Sequence, residues 1–127
     1  MIIAISGSRR YKQRSHVEDF IKSLAKRTDL KIIFGEAWGV DTWAKEACEK
    51  YSIPHEVYFA DWDRLGRSAG PMRNSKLVMD ATKVVCFWDG DSRGTADTIK
   101  KARHVDRLAF VFSDTEKYEE IGRMLNI

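Results

Sequence analysis

Six arginines and seven carboxylates sit in the segments that follow short apolar runs. They are Arg9, Arg10, Arg64, Arg67, Arg73 and Arg93, with Glu36, Asp41, Asp61, Asp63, Asp89, Asp91 and Asp97. Arginine grips phosphate or carboxylate through two parallel N–H bonds. A carboxylate in a cleft accepts ribose hydroxyls or works as a general base. Arg9, after Gly7-Ser8, and Arg73, just past Gly70-Pro71, are the best phosphate partners. Asp61, between Ala60 and Trp62, is the leading ligand-contacting acid, with Glu36 beside it as a second acid–base candidate. Asp41 is read as a helix N-cap that also faces ligand.

The stretch Lys83 to Thr95 organises these groups. Its apolar run ends in a polar loop carrying Gly90, Ser92, Gly94 and Thr95, and a helical pattern follows. A strand feeding such a loop and a helix N-terminus can hold an anion on backbone N–H groups. Seven of the eight glycines (Gly7, Gly35, Gly39, Gly66, Gly70, Gly90 and Gly94) fall just after predicted strands. Turn geometry alone would spread them over both sheet edges. Their clustering predicts loops that let backbone approach a ligand. Trp38, Trp62 and Trp88 share these loops, and any of them suits stacking on a base or capping of the core rim.

The elements that must position these groups alternate. Strands are expected at Ile2 to Ser6, Leu30 to Phe34, His55 to Phe59, Lys83 to Trp88 and Leu108 to Phe112. A helix follows each. The first begins near Ser15, with Glu18 at capping-box spacing. The second carries Ala44, Ala47, Cys48 and Tyr51 on one face. Pro71 opens the third, with Met72, Leu77, Val78 and Ala81 toward the core. The fourth follows Thr95 and packs through Ala96, Ile99 and Ala102. The last starts near Ser113, with Glu116 at capping-box spacing, and buries Tyr118, Ile121, Met124 and Leu125. This predicts an α/β fold: a Rossmann-like open sheet of about five mainly parallel strands with helices on both faces. Ligands then bind at the carboxyl ends of the strands.

The 127 residues suit one domain, 1–127. The formal charge of +3 fits an anionic small ligand as readily as nucleic acid. Cys48 and Cys86 read as reduced core thiols. His16, His55 and His104 are scattered, so neither a metal site nor a cofactor is expected. Ser8 has no evident histidine partner for a hydrolase triad. No apolar run reaches membrane-spanning length, no membrane partner is expected, and the cytoplasm is the default location.

Five motifs fall in order: Gly7-Ser8-Arg9, GEAWGVD at 35–41, ADW at 60–62, AGPMRN at 69–74 and DGDSRGT at 89–95. Over residues 2 to 112 this resembles the YspA-type branch of the SLOG superfamily. That Rossmann-like group includes the LOG phosphoribohydrolases and the DprA/Smf proteins, and the branch is frequent in bacteria and phages. The resemblance implies a nucleotide site, with homo-oligomeric assembly. In LOG enzymes a P-G-G-x-G-T-x-x-E loop binds phosphate, its glutamate helps cleave an N-glycosidic bond, and an upstream arginine assists. Gly90, Gly94 and Thr95 match the phosphate part, and Arg73 matches the arginine by position. Thr98 stands where the glutamate would be.

Three functions follow. The first is binding of a nucleotide-like small molecule, a nucleoside monophosphate or an ADP-ribose-like ligand. Its contacts are Gly7, Ser8, Arg9, Gly35, Gly39, Asp41, Trp62, Gly70, Arg73, Asn74, Gly90, Ser92, Gly94 and Thr95. The second is nucleotide N-glycosidase chemistry using Asp61, Arg73 and Glu36. The third is single-stranded nucleic acid binding on Trp38, Trp62 and the arginines.

Overall fold

A computed structural model of the chain describes residues 1–115, so the predicted last helix lies outside the described residues. Five parallel strands form one sheet in the order β3-β2-β1-β4-β5: β1 (Ile2–Gly7), β2 (Lys31–Phe34), β3 (His55–Val57), β4 (Lys83–Trp88) and β5 (Leu108–Ser113). The central register pairs Ala4 with Ile33 on one side and with Val84 on the other. Runs of isoleucine and valine explain the central strands, since β-branched residues fit a pleated surface buried on both faces.

Side chains alternate across the sheet and feed two cores. Ile3, Ile5, Ile32 and Phe34 face α1 (Arg14–Ser23) and α2 (Val40–Lys50). Ala4, Ile33, Val84 and Cys86 face α4 (Ala69–Asp80) and α5 (Arg93–His104). Phe87 centres the first core. It stacks on Phe112 at 4.6 Å and meets Tyr11 and Phe20 edge-on. Both cysteines are free and buried, and burial pushes each thiol up to about 12. Among the described residues no helix is long and apolar enough to cross a membrane.

The sequence reading needs several local corrections. Helix α1 starts at Arg14 after Gln13, with no side-chain cap. Glu18 instead accepts hydrogen bonds from Lys50 of α2 (2.7 Å) and from Tyr51 just past its end (3.3 Å), so a tertiary contact replaces the capping box. Strand β3 stops at Val57, and Phe59 is 76% exposed. The supposed polar loop after it folds into α3 (Trp62–Leu65) and a 3₁₀ turn, Gly66–Ser68, which runs straight into α4. Helix α4 therefore starts before Pro71. Met72 points to solvent with Met79, opposite the buried face of Ala69, Asn74, Leu77 and Val78. Helix α5 starts at Arg93, so Gly94 and Thr95 belong to its first turn and not to the loop.

Candidate functional site

The loops at the carboxyl edge enclose a cavity of about 530 Å³. Three loops define it across three adjacent strands, β2, β1 and β4, because parallel strands bring the βα connections to one edge. Ile5, Ser6 and Leu77 contribute to its floor, and Arg9 and Arg10 reach it from the β1–α1 loop.

The β4–α5 side is built in advance. The Asp89 carboxylate accepts the N–H groups of Asp91 (2.9 Å) and Ser92 (2.8 Å), closing the turn on itself. Burial pushes the Asp89 carboxyl up, but these bonds and that of Ser8 outweigh it and leave it below the usual range. The first helical bond of α5 runs from the Ala96 N–H to the Ser92 carbonyl. The N–H groups of Arg93, Gly94 and Thr95 therefore remain as first-turn donors. A Cβ added at Gly94 would meet nothing within 4 Å, so this turn opens onto the cavity. Beneath it, Ser8 Oγ lies 3.3 Å from Thr95 Oγ1 and accepts the Asp89 N–H at 3.1 Å. Asn74 Nδ2 donates to the Gly94 carbonyl at 3.3 Å, tying α4 to the same turn.

The β2 side is acidic and more closely paired. Arg73 Nη1 donates to Glu36 Oε2 at 2.7 Å, and its Nε donates to Asn74 Oδ1 at 3.3 Å. Glu36 Oε1 also accepts the Trp62 indole N–H at 3.3 Å, which fixes that ring over Gly70. Asp41 does not cap α2; Gly39, at φ 81°, occupies that position. Asp41 lies within the first turn, 6% exposed, and accepts the Ala37 N–H at 3.1 Å. Burial raises its carboxyl from 3.8 to about 7. The Ala37 N–H, Arg73 and Arg9 pull it down, and Glu36 pushes it up.

Gly7, Arg9, Gly35, Asp41, Trp62 and Gly70 all line the cavity, as do Arg73, Asn74, Ser92, Gly94 and Thr95. Ser8 is buried under its floor, Gly39 supports the start of α2, and Gly90 serves the turn at φ 84°. Glu36 acts through Arg73 and Trp62. Asp61 lies off the cavity wall: its carboxylate caps α3 by accepting the Arg64 N–H, and it pairs with the Arg64 guanidinium at 3.1 Å. Thr98 is fully buried and donates to the Gly94 carbonyl, so that position supports the turn and does not line the cavity. Sequence reasoning ranked Arg10, Arg93 and Asp97 low, yet all three line the cavity. Their signal was position: Arg93 and Asp97 are i and i+4 on the helix after β4, on one face. Trp38 is 78% exposed outside the cavity, and the Trp88 indole donates to the Ser92 carbonyl.

No protein-family model matches the chain. It is 29% identical over 121 residues to the Gene 61 protein of Mycobacterium phage D29, covering 88% of this chain and 96% of that protein. The fold is similar to DNA processing protein A of Streptococcus pneumoniae, with TM-score 0.72 and 22% identity. That match covers 88% of this chain but 49% of the pneumococcal one, so the chain spans about half its length. The Helicobacter pylori DNA processing protein A matches at TM-score 0.67 and 20% identity, over 97% of this chain and 73% of that one. At these identities the structural likeness establishes the fold.

Proposed function

We propose that the chain is a SLOG-type protein whose cavity binds a nucleotide or nucleotide-derived ligand, a nucleoside monophosphate or an ADP-ribose-like molecule. One observation carries the reading. Arg9, Arg10 and Arg93 line the same cavity as the open first turn of α5. None of the three has a carboxylate at salt-bridge distance among the described residues, whereas Arg73 is paired. Unpaired arginines beside free backbone donors recognise a phosphate, each charged hydrogen bond adding about 1.5–3 kcal/mol. The volume suits a ligand of nucleotide size. Trp62, held by Glu36 and half-exposed at the rim, supplies a face for a base.

Binding is favoured over glycosidic cleavage. The LOG-like glutamate position holds a buried threonine, and Asp61 is committed to α3. The test uses Gly94→Asp. The site is open, so the fold tolerates the side chain, and its charge falls where the phosphate would sit. Calorimetry should show AMP binding to the wild type and a loss of about 100-fold in the variant, with an unchanged melting temperature. Equal AMP affinity in both proteins would remove the phosphate assignment.

A second reading rests on a separate observation. Trp38 and Phe59 are 78% and 76% exposed, and each is within two residues of the Glu36–Ala60–Trp62 contacts, where Glu36 accepts the Ala60 N–H and the Trp62 indole N–H. Exposed aromatics next to cationic loops form a stacking platform for single-stranded nucleic acid. The structure of the Helicobacter pylori neighbour is described as showing a single-stranded DNA binding mode.

A further inference from the structure

We propose that Asp41 reads a sugar hydroxyl of the bound nucleotide. The proposal rests on the phosphate-pocket reading above and adds what the opposite wall of the cavity recognises.

The charge distribution across the sheet edge carries the argument. Strand order places the β4–α5 turn with Arg93 at one end, Arg9 and Arg10 in the middle over β1, and Asp41 over β2. Neighbouring strands are about 4.8 Å apart, so the ends of β4 and β2 lie about 10 Å apart. That separation suits a ligand with an anion at one end and hydroxyls at the other, as in a ribose phosphate. A carboxylate is the usual acceptor for ribose hydroxyls.

The geometry singles out Asp41 among the acids. Its Oδ2 accepts the Ala37 N–H, and Oδ1 accepts no hydrogen bond among the described residues. No fully buried side-chain oxygen among them lacks a partner, so Oδ1 keeps some exposure, and Asp41 lines the cavity. Glu36 is occupied by Arg73 and Trp62, Asp97 by Lys101 and Asn74, and Asp89 by its own turn. Asp91 lines the cavity from the β4–α5 turn, at the opposite end from Asp41. The charged groups facing Asp41 are Glu36 from its own loop, Arg73 from α4 and Arg9 from the β1–α1 loop. A Cβ at Gly35 would fall 2.5 Å from Arg73 Nη1 and 2.9 Å from Asp41 Oδ2, so glycine leaves this part of the wall free of a side chain.

The proton balance is simple. With a carboxyl near neutrality, part of the free protein carries the proton at pH 7. A hydroxyl that donates to Oδ1 favours the carboxylate, and the proton leaves to solvent. Affinity for hydroxyl-bearing ligands therefore rises with pH through this range.

The experiment compares AMP with 2′,3′-dideoxy-AMP by calorimetry, each in two buffers of different ionisation enthalpy. Both nucleotides carry the same base and phosphate, so phosphate titration cancels in the difference. The wild type should bind AMP about tenfold tighter at pH 8 and release more protons with AMP at pH 7. Asp41→Asn should bring the two nucleotides to equal affinity. Equal affinity and equal proton release in the wild type would overturn this proposal while leaving the phosphate site standing. If neither nucleotide binds, the phosphate-pocket reading falls and takes the hydroxyl reading with it.

Discussion

A carboxyl held near neutrality inside a fold opposes folding once it ionises, and Asp41 is such a group. The unfolded chain releases this proton near pH 4 and the folded chain near pH 7. Between those values the folded state binds more protons, so stability falls as pH rises. Three pH units correspond to about 4 kcal/mol as an order of magnitude. Asp41→Asn keeps a carbonyl acceptor for the Ala37 N–H and removes the buried charge. Its melting temperature is expected to exceed that of the wild type at pH 8, with the gap closing by pH 5. A gap of the same size at both pH values would mean that Asp41 does not titrate in this range.

At the level of elements, two glycines do different work: Gly7 ends β1 and Gly35 follows β2. A Cβ at Gly7 would fall 2.4 Å from Cβ and Cγ1 of Val40, the first residue of α2. Valine is stiff at χ1, so the helix itself would have to shift. A Cβ at Gly35 would meet the tip of Arg73 at 2.5 Å, the far end of a flexible side chain. Gly7→Ala is therefore expected to cost about 3 kcal/mol in chemical unfolding. Gly35→Ala should cost less stability but displace Arg73 from Glu36 and weaken AMP binding. The reverse ranking in denaturant titrations would show that α2 is more pliable than its packing implies.

At the scale of the molecule, the question is whether the cavity takes one nucleotide unit or the rim carries a strand. Charge does not decide it: +3 over 127 residues is modest. Salt dependence does, because each neutralised phosphate on a single strand adds about −0.7 to the log–log slope. A single-nucleotide cavity predicts the same slope for AMP and for a ten-nucleotide single strand. A slope that steepens with length would favour the platform of Trp38, Phe59 and Trp62.

Much of the architecture was legible in the chain alone. Strand β4 runs from Lys83 to Trp88 as read, β1, β2 and β5 each differ from the reading by one residue, and β3 ends two residues early. Buried parallel strands are nearly continuous apolar runs, so local composition marks them directly. Of the glycines read as loop residues, Gly35, Gly39 and Gly90 lie in loops, whereas Gly7 ends β1, Gly66 opens the 3₁₀ turn, and Gly70 and Gly94 sit in the first turns of α4 and α5. The capping signal at Glu18 failed because a distant partner competed: Glu18 accepts from Lys50 and Tyr51 instead. At Asp41 it failed locally, since the carboxylate accepts the Ala37 N–H of the preceding loop and Gly39 takes the cap position. Which acids reach the cavity was also a tertiary matter. Asp61 and Asp41 are both aspartates near the start of a helix, but only packing against α4 and the β1–α1 loop buries one, while the other stays half-exposed beside Arg64. Burial and field depend on groups brought together across the sheet, and no short window of sequence contains them.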